Sequence, residues 1–156
     1  TGQVVDAGIR DSMNMGAAMA PAAFHTVMQN LKDLEITKKQ LESGWYDKII
    51  TGDLGKIGKQ ALAEFIRNEG LEAEEFLMDC GMEIYDSSAQ DTHAGGSGCG
   101  CSALVLGALI LPNIQAGIWR RVLFIPTGAL LSTVSFNEGQ TIPGIAHGII
   151  LEGMGK

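Results

Sequence analysis

The order of strands and helices along the chain predicts an α/β fold, in which a layer of strands has helices on both of its faces. Short runs rich in β-branched residues alternate with segments whose apolar residues recur at helical spacing. A third observation is an apolar segment, residues 101–115, which is hydrophobic on all sides and predicts a buried helix. The chain has 156 residues, 46% of them apolar, which is enough for one domain with its own core. We therefore expect residues 1–156 to form a single domain.

The chain begins with a predicted strand over residues 3–9 and a helix over residues 15–31. Asn14 stands where an N-cap is expected, and Pro21 predicts a kink in the helix or its true start. The side chains of residues 15–20 are unusually small apart from two methionines. They would let this helix lie close to another backbone, or leave space beside it.

A second strand and helix follow a short polar helix at residues 37–42. The strand covers residues 46–51 and the amphipathic helix residues 55–68. This order places Thr51, Gly52 and Asp53 at the carboxyl end of the strand. In open α/β sheets ligands bind at that edge. Asp53 has a second interpretation, which we favour: it caps the helix that follows.

The remainder of the chain starts with irregular structure over residues 69–88. The buried helix at 101–115 ends at Gly117, a residue typical of helix C-caps. A strand at 121–126 and a last strand at 142–151 follow, joined by a polar loop at 132–139. A connection of this kind predicts an antiparallel hairpin.

Residues 91–102 form a glycine-rich loop with the sequence Asp-Thr-His-Ala-Gly-Gly-Ser-Gly-Cys-Gly-Cys-Ser. The loop leads directly into the apolar helix, whose first N–H groups would point into it and favour a negative charge. One interpretation is therefore the wall of a pocket that accepts an anion. The other is a tight turn whose small residues pack against a neighbouring helix, and the spacing favours neither.

Composition excludes several classes of function. A net charge of −7, without clustered Lys or Arg, argues against a nucleic-acid surface. The three cysteines, Cys80, Cys99 and Cys101, are odd in number and predict a reducing interior rather than a disulfide framework. Cys-Gly-Cys lacks a second pair of ligands, so we expect no metal site.

The first residues of the chain and its longest apolar run indicate how the chain relates to a longer protein and to a membrane. The chain starts with Thr-Gly-Gln rather than Met, which suggests a piece of a longer protein. The longest apolar run is broken by Pro112 and is too short to span a bilayer. We expect a soluble chain that docks on a membrane protein.

Four stretches carry a specific resemblance to a known family. They are residues 14–23 (Asn-Met-Gly-Ala-Ala-Met-Ala-Pro-Ala-Ala), residues 51–55 (Thr-Gly-Asp-Leu-Gly), the glycine loop 91–102, and residues 127–130 together with 142–147. These stretches extend over the whole chain. They resemble the carboxyl-terminal half of the stage V sporulation protein AD family of spore-forming bacteria.

The resemblance implies a thiolase-like fold, because that family is similar in fold to thiolases and β-ketoacyl synthases. Such proteins have two related halves, each a five-stranded mixed sheet with helices. This chain would be the second half, with the amino-terminal half as its partner and a homodimer as the complete protein. The nucleophilic cysteine of thiolases belongs to the first half, and neither Cys99 nor Cys101 stands at its position.

The resemblance also implies binding rather than catalysis. The second half of a condensing enzyme supplies a His after one strand and a His or Asn in a later glycine-rich loop. Here Gly52 stands at the first position, and His93 lies near the second. General acid–base chemistry would lack one member of its pair.

The family is linked to dipicolinic acid (pyridine-2,6-dicarboxylate), which enters the developing spore with calcium. We therefore expect non-catalytic binding of dipicolinic acid, as the acid or calcium chelate, in a complex with other stage V sporulation A membrane proteins at the spore's inner membrane. No cofactor is expected. The alternatives are an acyl transferase acting on acyl-CoA, and a scaffold with a vestigial pocket. The expected ligand-binding residues are His93, Gly95, Gly96, Ser97, Cys99, Ser102, Thr51, Gly52 and Asp53.

Overall fold

Two β-sheets organise the computed structural model, which describes residues 1–96 and 98–153. Within these residues the strands are β1 (Gly2–Val5), β2 (Lys48–Thr51), β3 (Leu77–Asp79), β4 (Arg121–Ile125), β5 (Thr127–Ala129), β6 (Gly144–His147) and β7 (Ile149–Glu152). One sheet has the order β3-β2-β4-β7 and the other β1-β6-β5. β2 pairs in parallel with β3 and β4, whereas the other pairs are antiparallel. The predicted mixed α/β class is confirmed.

The strand count differs from the single five-stranded sheet expected from the resemblance. Pro126 alone separates β4 from β5, and Gly148 alone separates β6 from β7. Proline has no N–H to donate to a ladder, so pairing is interrupted there and the strands continue in the second sheet. The predicted antiparallel hairpin is confirmed, because β4 pairs with β7 and β5 with β6.

The described helices are α1 (Met15–Asp33), α2 (Lys38–Glu42), α3 (Gly55–Asn68), α4 (Cys80–Glu83), α5 (Cys101–Val105), α6 (Leu111–Gln115) and α7 (Thr133–Asn137). A 3₁₀ turn covers Glu74–Phe76, and a π-helical segment, Leu106–Ile110, joins α5 to α6. The predicted helices at 55–68 and 101–115 are therefore confirmed with their bounds. None of the described helices is long and apolar enough to cross a bilayer.

The helical stretch 101–115 is only partly buried, so the prediction of a helix buried on all sides is wrong. Val105 and Ile110 pack against the four-stranded sheet, whereas the side chain of Leu104 is 59% exposed. A helix on the face of a sheet buries one side of its circumference. The outer side here is apolar as well.

Several element ends differ from the sequence prediction. The first strand ends at Val5 rather than residue 9, since Asp6 accepts hydrogen bonds from Gly8 N (2.9 Å) and Thr141 Oγ1 (2.6 Å). Asn14 makes no side-chain capping bond, and α1 runs on through Pro21. The irregular region 69–88 contains β3 and α4, and the polar loop 132–139 contains α7.

Helices cover both faces of the four-stranded sheet. Because successive side chains of a strand point to opposite faces, Ile49 and Leu123 pack in the cluster that includes residues of α1 and α3. Ile50 and Phe124 pack in the second cluster, with Val105 of α5. The layer arrangement predicted for the fold is therefore present.

Small residues allow α1 and α3 to pack with their backbones in close approach, as residues 15–20 predicted. A Cβ atom added to Gly58 would lie 2.8 Å from the carbonyl oxygen of Gly16. A Cβ atom on Gly16 would meet the carbonyl oxygen of Leu54. The start of α3, which follows β2, is thereby fixed against α1.

Substitution of Gly58 by alanine tests this contact. Because the added methyl group meets backbone, we expect Gly58→Ala to lower the free energy of unfolding by about 1–3 kcal/mol. The matched control is Gly107→Ala, also within a helical segment, where an added Cβ has nothing within 4 Å. That change should raise stability by about 0.5–1 kcal/mol. Urea unfolding of both variants measures the difference, and equal effects would contradict the proposed contact.

Candidate functional site

A cavity of about 760 Å³ lies at the end of β2 where α3 begins. Four segments that are distant in sequence form its wall: the residues around the start of α1, the turn after β2, the glycine loop, and the junction of β4 with β5. A cavity at the carboxyl ends of parallel strands is where open α/β sheets bind ligands. It is thus the candidate binding site of this chain.

The structure brings five of the nine predicted site residues to this cavity. They are Asp53, Gly95, Gly96, Cys99 and Ser102. Thr51 and Gly52 are buried behind the wall rather than lining it. Ser97 lies outside the described residues.

His93 is on the outer side of the glycine loop. Its side chain is 91% exposed, and its Nδ1 atom lies 3.7 Å from Asp91 Oδ1. It does not belong to the described lining of the cavity. The predicted role of His93 as a ligand contact therefore has no geometric support in this conformation.

The carboxylate of Asp79 holds the turn between β2 and α3. Asp79 is fully buried, and its Oδ2 atom accepts hydrogen bonds from Thr51 Oγ1 (2.6 Å) and Leu54 N (2.8 Å). Its Oδ1 atom accepts from Gly55 N at 2.9 Å. Burial raises the pKa of Asp79, while the bond from Thr51 and the two backbone donors act in the opposite direction. Asp79, at the end of β3, thus caps α3.

The prediction that Asp53 caps α3 is wrong, because that role belongs to Asp79. Asp79 was missed since it follows a segment that looked irregular in the sequence. The available signal was an aspartate after the apolar residues Phe76, Leu77 and Met78. An aspartate at the end of a strand beside β2 is well placed to reach the first N–H groups of α3.

Asp53 instead connects three parts of the cavity wall. Its backbone N–H donates to Thr127 Oγ1 (3.1 Å), and Thr127 Oγ1 donates to Asp53 Oδ1 (2.9 Å). Gly98 N donates to Asp53 Oδ2 at 3.3 Å. Burial is the largest influence on this carboxyl group and raises the pKa of Asp53. Asp53 therefore ties the turn after β2 to the start of β5 and to the glycine loop.

The glycine loop uses backbone N–H groups to hold its own shape. Gly95 N donates to Thr92 O (2.9 Å), and Gly96 N donates to Gly81 O (2.6 Å). Gly95 has a φ of +121°, a conformation that side chains rarely adopt, so glycine is required there. These two donors are engaged within the fold. Cys101 N, at the start of the helix whose first N–H groups were expected to favour an anion, donates to Gly98 O at 3.1 Å.

The cysteines of the site have different environments. The thiol of Cys101 donates to Gly52 O at 3.4 Å, and burial raises the pKa of Cys101 to about 11. Burial also raises the pKa of Cys80. Neither buried thiol is suited to form a nucleophilic thiolate at neutral pH. Cys99 is exposed and lines the cavity.

The lining combines apolar and polar groups. Met13, Met15 and Met19 supply flexible thioether side chains, and the polar groups are the hydroxyls of Ser12, Ser102 and Thr127 and the carboxyl group of Asp53. No Lys, Arg or His lines the cavity among the described residues. Nor do these residues place three His, Cys, Asp or Glu side chains together in a way that would hold a metal ion. The chemistry present is hydrogen bonding beside an apolar surface.

Removal of the Thr51 hydroxyl tests the role of Asp79. A hydrogen bond to a charged group contributes about 1.5–3 kcal/mol, so we expect Thr51→Val to lower the free energy of unfolding by that amount at neutral pH. The loss should shrink in acid, where Asp79 is protonated. The control is Thr26→Val, since Thr26 Oγ1 is equally buried but donates to a neutral acceptor, Ala22 O, at 2.8 Å. If both variants lose the same free energy of unfolding in urea at neutral pH, the hydrogen bond from Thr51 to a charged Asp79 is contradicted.

Comparison with known proteins gives one family. The family model of stage V sporulation protein AD matches residues 1–152. Stage V sporulation protein AD of Bacillus subtilis (strain 168) is 42% identical over 154 residues, which are 99% of this chain and 44% of that relative. The chain thus spans less than half the length of this relative. Both matches agree with the resemblance found in the sequence, and the chain belongs to the stage V sporulation protein AD family.

Proposed function

We propose that this chain forms a non-catalytic binding site for dipicolinic acid, which serves the uptake of that compound into the developing spore. Membership of a sporulation family supports the process. The observation that carries the proposal is the cavity beside Asp53, whose volume of about 760 Å³ is typical of small-molecule sites.

The mixed lining of the cavity suits an aromatic ring with polar substituents. Sulfur–aromatic contacts are favourable, so Met15 and Met19 offer a surface for the flat pyridine ring. The hydroxyl groups of Ser102 and Ser12 are donors for the ligand's carboxylates. Hydrogen bonds to charged groups are stronger than those between neutral groups.

The charge of the lining bears on the form of the ligand. Two carboxylates on the ligand meet a cavity whose described lining holds one carboxyl group, Asp53, and no cationic side chain. A calcium chelate of dipicolinate is neutral and avoids this repulsion, whereas the free dianion needs another source of compensation. The proposal covers both the acid and the chelate.

The same proposal includes a thiolase-like fold for the complete protein. The two sheets share chain segments, so five segments lie side by side in the order β1, β6–β7, β4–β5, β2 and β3. This order supports the five-stranded half expected from the resemblance. Leu104 and Ile118 are 59% and 65% exposed, and an amino-terminal half would give such apolar side chains a partner. We propose that the complete protein, with both halves, forms a homodimer.

Absence of catalysis is part of the proposal. Gly52 stands where the resemblance expects a histidine, and the high pKa of the Cys101 thiol makes it a poor nucleophile. The alternatives are an acyl transferase and a scaffold with a vestigial pocket. The proposal also covers location and partners. The protein would lie peripherally on the spore's inner membrane and bind the other stage V sporulation A membrane proteins.

Titration calorimetry of the complete protein with pyridine-2,6-dicarboxylate, with and without calcium, tests the binding function. We expect saturable binding, which Ser102→Ala weakens by about 1 kcal/mol or more through loss of a hydrogen bond to a charged group. Ser87→Ala is the matched control, since Ser87 is exposed and does not belong to the described lining. Benzene-1,3-dicarboxylate, which lacks the ring nitrogen, measures how far calcium chelation contributes.

Three results would count against this account. No saturable binding with or without calcium would contradict the carrier function and favour the scaffold. Turnover of acyl-CoA would favour the acyl transferase. Weakening by His93→Ala but not by Ser102→Ala would move the site from the cavity to the outer side of the glycine loop, as the sequence first suggested.

A further inference from the structure

Asp53 poses a problem that the proposed function leaves open. It is the only carboxyl group that lines the cavity among the described residues, and the proposed ligand carries two carboxylates of its own. Like charges at short range in a partly desolvated site repel each other strongly. Binding of a dianion therefore requires that the charge of Asp53 be compensated or removed.

Among the residues that the structure describes, no cationic side chain influences the pKa of Asp53. The titratable groups coupled to it are Asp79, at the end of β3, and the thiols of Cys80 and Cys101, at the starts of α4 and α5. From β5 and the described part of the glycine loop it receives two neutral donors, the hydroxyl of Thr127 and the N–H of Gly98. Lys56 of α3 is exposed to solvent and does not line the cavity.

The two carboxyl oxygens of Asp53 accept hydrogen bonds of different length. Oδ1 accepts the 2.9 Å bond from Thr127 Oγ1, whereas Oδ2 accepts only the longer 3.3 Å bond from Gly98 N. Oδ2 is thus the oxygen better placed to carry a proton. Burial already raises the pKa of Asp53, and a nearby anion would raise it further.

We propose that Asp53 takes up one proton from solvent when a carboxylate ligand enters the cavity, and that its protonated carboxyl group donates a hydrogen bond to the ligand. The ligand remains a dianion, and the complex therefore holds one proton more than the free protein and the free ligand together. This inference rests on the proposed function. It assigns to Asp53 the role of accepting the proton that allows the dianion to bind. A protonated carboxyl group can donate a hydrogen bond through its O–H, whereas an ionised carboxylate can only accept.

Coupling to a proton gives binding a defined pH dependence. Because the complex holds more protons than its separate components, affinity rises as the pH falls. Where Asp53 is ionised in the free protein, the dissociation constant should increase by up to about tenfold per pH unit. Between about pH 6 and pH 8 ordinary carboxylic acids are ionised, so titration of the free ligand does not contribute.

Titration calorimetry of the complete protein with calcium-free pyridine-2,6-dicarboxylate measures the coupling directly. Titrations at several pH values, each in two buffers of different ionisation enthalpy, report the protons taken up. We expect uptake approaching one proton and an affinity that falls as the pH rises. The measurement uses the unmodified protein, so it does not depend on a variant that folds.

Two variants locate the proton. Asp53→Asn keeps a donor but removes the charge, so its affinity should not vary with pH and should exceed that of the unmodified protein at about pH 8. His93→Gln is the control, because His93 belongs to the glycine loop and histidine is the residue type whose charge ordinarily changes in this pH range. It should keep the full pH dependence.

The outcomes separate this inference from the proposed function. Saturable binding without proton uptake, or pH dependence lost in His93→Gln and kept in Asp53→Asn, overturns the role of Asp53 and leaves dipicolinate binding intact. No saturable binding at any pH overturns the proposed function, and the proton coupling with it.

Discussion

The buried carboxylate of Asp79 is the interaction on which the site depends. Three hydrogen bonds to it join the end of β2, the end of β3 and the first turn of α3. The turn that carries Asp53 lies between two of these anchors, Thr51 and Leu54. A buried carboxylate is costly without partners, so the three donors are needed for it to persist. The position of Asp53 in the cavity wall follows from this arrangement.

Much of the fold was predictable because its signals are local. The helices at 55–68 and 101–115 have apolar periodicity and recognisable ends, and both bounds agree with the structure. The division of the sheet at Pro126 and Gly148 depends on pairing between distant segments. The outward exposure of Leu104 was not predictable either, because a sequence does not show which apolar face a neighbour covers.

Some residues that line the cavity were predictable, whereas their contacts were less so. The glycine loop and the turn after β2 were both expected to border a pocket, and residues of both line the cavity, because strand ends and glycine-rich turns are local features. The roles within the site depend on contacts across the fold: Asp79 takes the capping role expected of Asp53, and Thr127 reaches Asp53 from the β4–β5 junction. His93 was assigned from its chemistry and its nearness in sequence, neither of which shows on which side of a loop a side chain lies.

The lining of the cavity combines methionine side chains around the start of α1 with the hydroxyl and carboxyl groups of Ser102 and Asp53. This combination is the basis for proposing a flat ligand with polar ends. The absence of a basic side chain from the described lining sets this site apart from ordinary anion sites, which use Arg or Lys. Under the proposed function, neutral donors and the protonation state of Asp53 would determine which form of the ligand binds.

A crystal structure of the complete protein with bound pyridine-2,6-dicarboxylate tests the central claim most directly. The account predicts the ring beside Met15 and Met19, with a carboxylate within hydrogen-bond distance of both Ser102 Oγ and an Asp53 carboxyl oxygen. A ligand bound on the outer side of the loop beside His93, or one whose carboxylates avoid Asp53 and contact cationic side chains, would contradict it.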